Sequence, residues 1–176
     1  MKKVFLSLFV ALVTTVTVSA QDKPKEDKSK RPSPPAVVTE TIKSGAKVTI
    51  DYSQPSVKGR TIGKEIAPYD GKVWRTGANE ATIFEVSKDV TIDGKALPAG
   101  KYSLHSVPGE TEWVWIFNKS ANQWGSYEYK EAEDALRVTA KPGKAAAATE
   151  KMTFKVDKSG KVTLLWGNIS VPFTVK

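Results

Sequence analysis

The chain has 176 residues, no cysteine, a single histidine, and 27 basic against 19 acidic side chains, a formal charge of +8. The missing cysteine excludes disulfides, thiol nucleophiles, zinc–thiolate sites and a lipidated N-terminal cysteine, and one histidine excludes His-rich metal sets. Residues 21–47 hold seven basic and four acidic side chains, so the remainder is only mildly basic; that argues for weak attraction to anionic envelope surfaces rather than for nucleic acid binding.

In chain order, Met1-Lys2-Lys3 is a short positive start, Val4 to Val18 is mostly apolar, and Val18-Ser19-Ala20 supplies small residues. This pattern predicts a signal peptide cleaved after Ala20 and a periplasmic or secreted product. The apolar run is shorter than the roughly 20 residues a membrane span needs. Residues 21–35, QDKPKEDKSKRPSPP, have almost no apolar side chain to bury and are expected to form a disordered tether. Residues 36–176 suit one domain.

From Ala36 onward the dominant period is two. Val48, Ile50 and Tyr52 alternate with Lys47, Thr49 and Asp51, which places apolar groups on one face of a strand. Further strands are expected over 36–42, 81–86, 89–92, 101–107, 111–118 and 135–141, separated by turns such as Asp93-Gly94 and Pro108-Gly109. Alternation over 152–157, 162–166 and 169–175 predicts a three-strand meander, with Pro172 at an edge or a bulge. Tyr127–Ala135 is expected to form one or two helical turns, and KAAAAT at 144–149 a loop. About ten short strands predict an all-β fold: a single antiparallel β-sandwich, jelly-roll-like.

Trp113, Trp115 and Phe117 share a strand face and suit either the core or a sugar-stacking platform. His105 is expected beside Lys101 and Ser103 as a polar surface or pocket-lining residue, or as a general base. Asp51, Glu80, Glu85 and Asp134 are available carboxylates, but spacing pairs none of them. No phosphate loop or nucleophile elbow is present, and no metal site or cofactor is expected.

WRTGANEAT at 74–82 stands out, because one short turn carries an aromatic, a cation, an amide and a carboxylate. Together with VTIDYSQPSVKGR at 48–60, LPAGKYSL at 97–104 and WGSYEY at 124–129, it resembles an exported bacterial family, domain of unknown function 2911, common in the Bacteroidetes group. The resemblance implies an exported β-rich domain with no activity to carry over. The chain departs from the family pattern at Gln54, where an Arg is usual, and at His105, where an apolar residue is usual.

Loops on a rigid sandwich are where ligand sites form, so Lys58, Arg60, Trp74, Arg75, Asn79, Glu80, Trp124 and Tyr127 are the candidate binding residues. Arg60 and Arg75 present forks suited to an anion, unless Glu80 occupies one of them. Three readings follow: a non-catalytic module for a sugar or small anionic ligand; a hydrolase using Glu80, or His105, with Arg60 or Arg75 stabilising charge; and a domain that docks to another envelope protein.

Overall fold

The computed structural model describes residues 26–176; the expected signal peptide and the first residues of the expected tether lie outside them. The described chain is all-β and antiparallel, with ten strands. One sheet has six strands in the order β1 (Pro35–Thr41), β2 (Lys47–Ser53), β3 (Thr82–Val86), β6 (Gly100–Val107), β7 (Trp113–Asn118) and β8 (Asp134–Ala140). A hairpin of β4 (Val90–Ile92) and β5 (Lys95–Leu97) turns at Asp93-Gly94, whose φ values of 46° and 85° suit a tight hairpin turn. A ribbon of β9 (Gly143–Val156) and β10 (Lys161–Thr174) forms the second layer of the sandwich.

Alternation decides which side chains enter the core. Val48 and Ile50 of β2, Phe84 and Val86 of β3, Leu104 of β6 and Trp113, Trp115 and Phe117 of β7 are all buried in one cluster. Phe154 and Phe173 of the ribbon meet them from the other layer. Phe173 lies 5.2 Å from Trp115 and 5.6 Å from Phe117, centroid to centroid, and Phe154 sits edge-on to Tyr52 at 5.0 Å. The backbone N–H of Phe154 donates to the Tyr52 hydroxyl, tying the layers through a polar link as well. The Trp113-Trp115-Phe117 face is therefore core, with none of it left for a sugar.

Two local expectations are corrected, and two hold. Residues 144–149 are strand rather than loop: Lys144 pairs with Ile169 and Thr149 with Gly167, and this pairing overrides the helix propensity of the alanines. The expected meander is a two-strand ribbon, because Gly167, at φ 52°, makes an irregularity inside β10 instead of a turn. Pro172 lies beyond Ser170, the last β10 residue paired to β9, so its missing donor disturbs no ladder. Between Tyr127 and Ala135, only Glu131–Glu133 is helical, as a single 3-10 turn.

The stretch expected as a tether also departs in part. Residues 28–30 form a 3-10 turn capped by the Asp27 carboxylate, and Pro35 already belongs to β1. Composition denies this segment an apolar anchor, but its cations find carboxylates on the domain, as described next. Among the described residues no helix is long and apolar enough to cross a membrane.

Candidate functional site

The sheet face turned away from the core carries its own cross-strand row. Asp51 pairs with Ile83, Ile83 with Ser103, and Ser103 with Asn118. Residues 119–133 fold over the β6–β7 end of this row. Gln123 docks there, its amide nitrogen donating to Ser120 O at 2.7 Å and to Ser103 Oγ and Asn118 Oδ1 at 3.3 Å. Tyr129, Asp134 and Arg137 lock the cover: the Tyr129 hydroxyl donates to Asp134 at 2.8 Å, and Arg137 Nε donates to the same oxygen at 2.7 Å. Burial and the hydrogen bond to Asp134 push the Tyr129 pKa up to about 12.

WRTGANEAT is the clamp that joins this cover to the sheet. Trp74 bridges Ser106 through paired backbone hydrogen bonds of 2.7 and 2.8 Å. Thr76 and Asn79 sit at φ 53° and 59°; a positive φ is costly for a β-branched threonine and tolerated by asparagine. The Thr76 conformation is held by its own hydroxyl, which donates to Ser106 Oγ, and by Thr82, whose hydroxyl donates to Thr76 O. Ala81 N donates to Gln123 O, and Gly125 N to Asn79 O, so the loop pairs with the 123–125 segment as a short bridge. The Asn79 amide donates to Ser33 O and Ser53 Oγ, fastening the N-terminal strap of residues 26–34.

Between strap, clamp and cover lies a cleft of about 320 Å³. Asp51 and Ile83 contribute to its floor; Ser53, Glu80, Asn122, Gln123 and Trp124 line its walls. Glu80 is paired, though not to Arg60 or Arg75. Lys28 Nζ reaches Glu80 Oε1 and Arg31 Nη1 reaches Oε2, each at 2.8 Å. Arg31 also pairs with Glu26 and lies 5.8 Å from the centroid of the Trp124 ring. Partial burial raises the Glu80 pKa, but hydrogen bonds from Lys28, its own backbone N–H and Arg31 outweigh it and hold it at about 2. The Asp51 carboxylate has no hydrogen bond or ion pair among the described residues, and desolvation raises its pKa against the pull of Lys28.

The expected site residues therefore separate. Glu80, Trp124 and Asn79 meet at the cleft or its rim. Trp74 is structural: it stacks on Trp166 at 5.6 Å with planes 10° apart. Arg60 turns inward to the carbonyls of Ser56 and Val57, and Lys58 is exposed, its backbone N–H bonded to Glu150. Arg75 is half-buried, with Nε lacking a partner, and burial lowers its pKa; Tyr127 is exposed. The grouping of Glu80 with Arg60 or Arg75 is not formed. Asp51, Ser53, Asn122, Gln123 and Lys28 complete the cleft, and Arg31 stands beside it on Glu80 and Trp124. Of these, alternation alone signals Asp51, whose side chain must face away from Ile50 and Tyr52.

His105 is fully buried under the cover, 5.2 Å from Tyr129, and neither ring nitrogen has a hydrogen bond of ordinary geometry. Burial pushes its pKa below the ordinary 6.5, against opposing contributions from the Gly125 backbone and Asp134. The folded protein thus keeps this ring neutral, while the unfolded chain protonates it below about pH 6.5. The unfolded state binds the extra proton, so stability falls as pH drops through that value toward the depressed folded pKa. Urea midpoints at about pH 7.5 and 5.5 are expected to differ in that direction, and His105→Leu to flatten the difference. An equal slope in the variant would assign it to other groups. Glu80 acts in a lower window, its contribution fading as pH falls from 4.5 toward 2.

The fold and cleft define an antiparallel β-sandwich whose outer sheet face carries an acceptor-lined pocket under a covering loop. The chain belongs to the family described as "Protein of unknown function (DUF2911)", whose model matches residues 33–175. No curated protein and no solved structure matches it. Among the described residues no group of three or more His, Asp or Glu side chains is placed to hold a metal ion.

Proposed function

We propose that this protein is a non-catalytic envelope binding module for a small sugar, held in the cleft beside Trp124. The observation that carries the reading is the cleft's surplus of acceptors. Asp51, on the exposed side of β2, has no partner among the described residues, and the Gln123 Oε1 atom is sealed in the wall without a donor. The open Asp51 carboxylate calls for a ligand rich in O–H donors. Trp124, 55 % exposed at the rim, offers a flat face for the C–H side of a sugar ring. The volume falls at the small end of ordinary ligand pockets.

Two carboxylates, Asp51 and Glu80, line the cleft against one cation, Lys28, which Glu80 already holds, so a sugar fits better than the anionic alternative. A hydrolase reading gains no support. Glu80 held near 2 is ionised at neutral pH and poorly matched to proton transfer. Calorimetric titration against a panel of monosaccharides and disaccharides tests the proposal. Trp124→Ala and Asp51→Asn are each expected to weaken binding about tenfold or more at unchanged melting temperature. Binding that survives both substitutions would move the site elsewhere.

A further inference from the structure

The strap shows what the cleft's charge prefers. Lys28 and Arg31 arrive from outside the sheet and place an ammonium and a guanidinium on the two oxygens of Glu80, 2.8 Å away in each case. Lys28 lines the cleft itself, and Arg31 sits beside the Trp124 face. The chain's own cations thus take the position a cationic group of a ligand would take, between a carboxylate and an aromatic ring. Around them the lining atoms without a partner among the described residues are acceptors: the exposed Asp51 carboxylate, and Oε1 of Gln123, which is sealed in the wall. The cations at the cleft, Lys28 and Arg31, are both engaged by Glu80, and a ligand with only hydroxyl donors would leave Glu80 to the strap.

We infer that the ligand is an amino sugar, whose ammonium takes the Glu80 carboxylate from Lys28 while its hydroxyls serve Asp51. This rests on the sugar-binding reading and narrows it. The exchange is accessible because the Lys28 side chain is 56 % exposed and that of Glu80 38 %; exposed pairs of this kind contribute little and exchange readily. Lys28 is then a competitor for the site, and removing it helps the ligand.

The full chain is titrated with glucosamine, N-acetylglucosamine and glucose. Glucosamine is expected to bind about five- to tenfold more tightly than the two neutral sugars, the margin of a charged over a neutral hydrogen bond. Glu80→Gln should erase that margin while leaving weak glucose binding in place. Lys28→Ala should raise glucosamine affinity severalfold. Asp51→Asn gives a second carboxylate variant if Glu80→Gln lowers stability; there the expected result is weaker binding of all three sugars. Equal binding of glucose and glucosamine would overturn the inference and leave the sugar-binding proposal standing. No binding of any sugar, including to Lys28→Ala, would overturn both. Binding of a Lys-Ser-Lys-Arg peptide in place of glucosamine would overturn it in favour of a peptide ligand.

Discussion

Replacing Trp166 with Ala is expected to cost about 3–5 kcal/mol of stability, the range for emptying a buried aromatic site. The side chain is 1 % exposed and belongs to the ribbon layer, yet its flat partner is Trp74, the first residue of the clamp. Trp74 in turn stands edge-on to Trp113 at 6.3 Å. Losing Trp166 thus opens a cavity in the core and also frees the ring that anchors the 74–82 loop. Denaturant unfolding should report the stability loss, and amide exchange should show the Ala81 and Gly125 N–H groups losing protection. A change below about 1 kcal/mol would mean the site collapses without harm. Trp124→Ala, at the exposed rim, is the contrasting case and should leave stability nearly unchanged.

Gly160→Ala is the second large effect. Gly160 sits at φ 88° in the turn joining β9 to β10, and a Cβ there would run into the carbonyl oxygen of Val175. That neighbour is backbone and cannot swing aside: Val175 N donates to Gly160 O at 2.8 Å, and Val175 bridges Ile92 of the hairpin. The left-handed conformation alone costs a non-glycine residue about 1–2 kcal/mol, and displacing the C-terminal strand end adds to it, so a loss above about 2 kcal/mol is expected. Gly94→Ala separates the two contributions. Its φ is 85°, but a Cβ there meets nothing within 4 Å, so only the conformational part should appear. Equal thermal shifts for the two variants would show that the Val175 contact imposes no penalty.

The strands were legible because their alternation is strict. Val48-Ile50-Tyr52 and Trp113-Trp115-Phe117 each place one face in the core, and a period of two leaves little choice. The errors fall where pairing beats local preference. Ala145 to Ala148 read as loop because nothing near them in sequence announces the β10 segment that binds them, and the break in alternation between 166 and 169 read as a strand boundary because a bulge at Gly167 interrupts the period as a turn does. The site was half legible. Glu80, Asn79 and Trp124 stand out by residue type, and the structure puts them together. Arg60 and Arg75 stand out equally and do not join Glu80: one is spent on backbone carbonyls and the other is half-buried without an ion pair among the described residues. Their direction depends on loop geometry that alternation does not encode. Arg31 was missed for the converse reason: composition marks residues 21–35 as unable to fold alone, and says nothing of a carboxylate waiting on the domain.

The strap also sets a length. With Lys28 and Arg31 on Glu80, the chain meets the domain from Lys28 onward, beside the cleft. With those contacts released, the first residue held to the domain is Ser33, whose carbonyl accepts from Asn79. The stretch in between spans roughly 17 Å when extended, at about 3.3–3.6 Å per residue. One carboxylate, through two ion pairs, therefore governs whether that reach is wound against the domain or paid out in front of it.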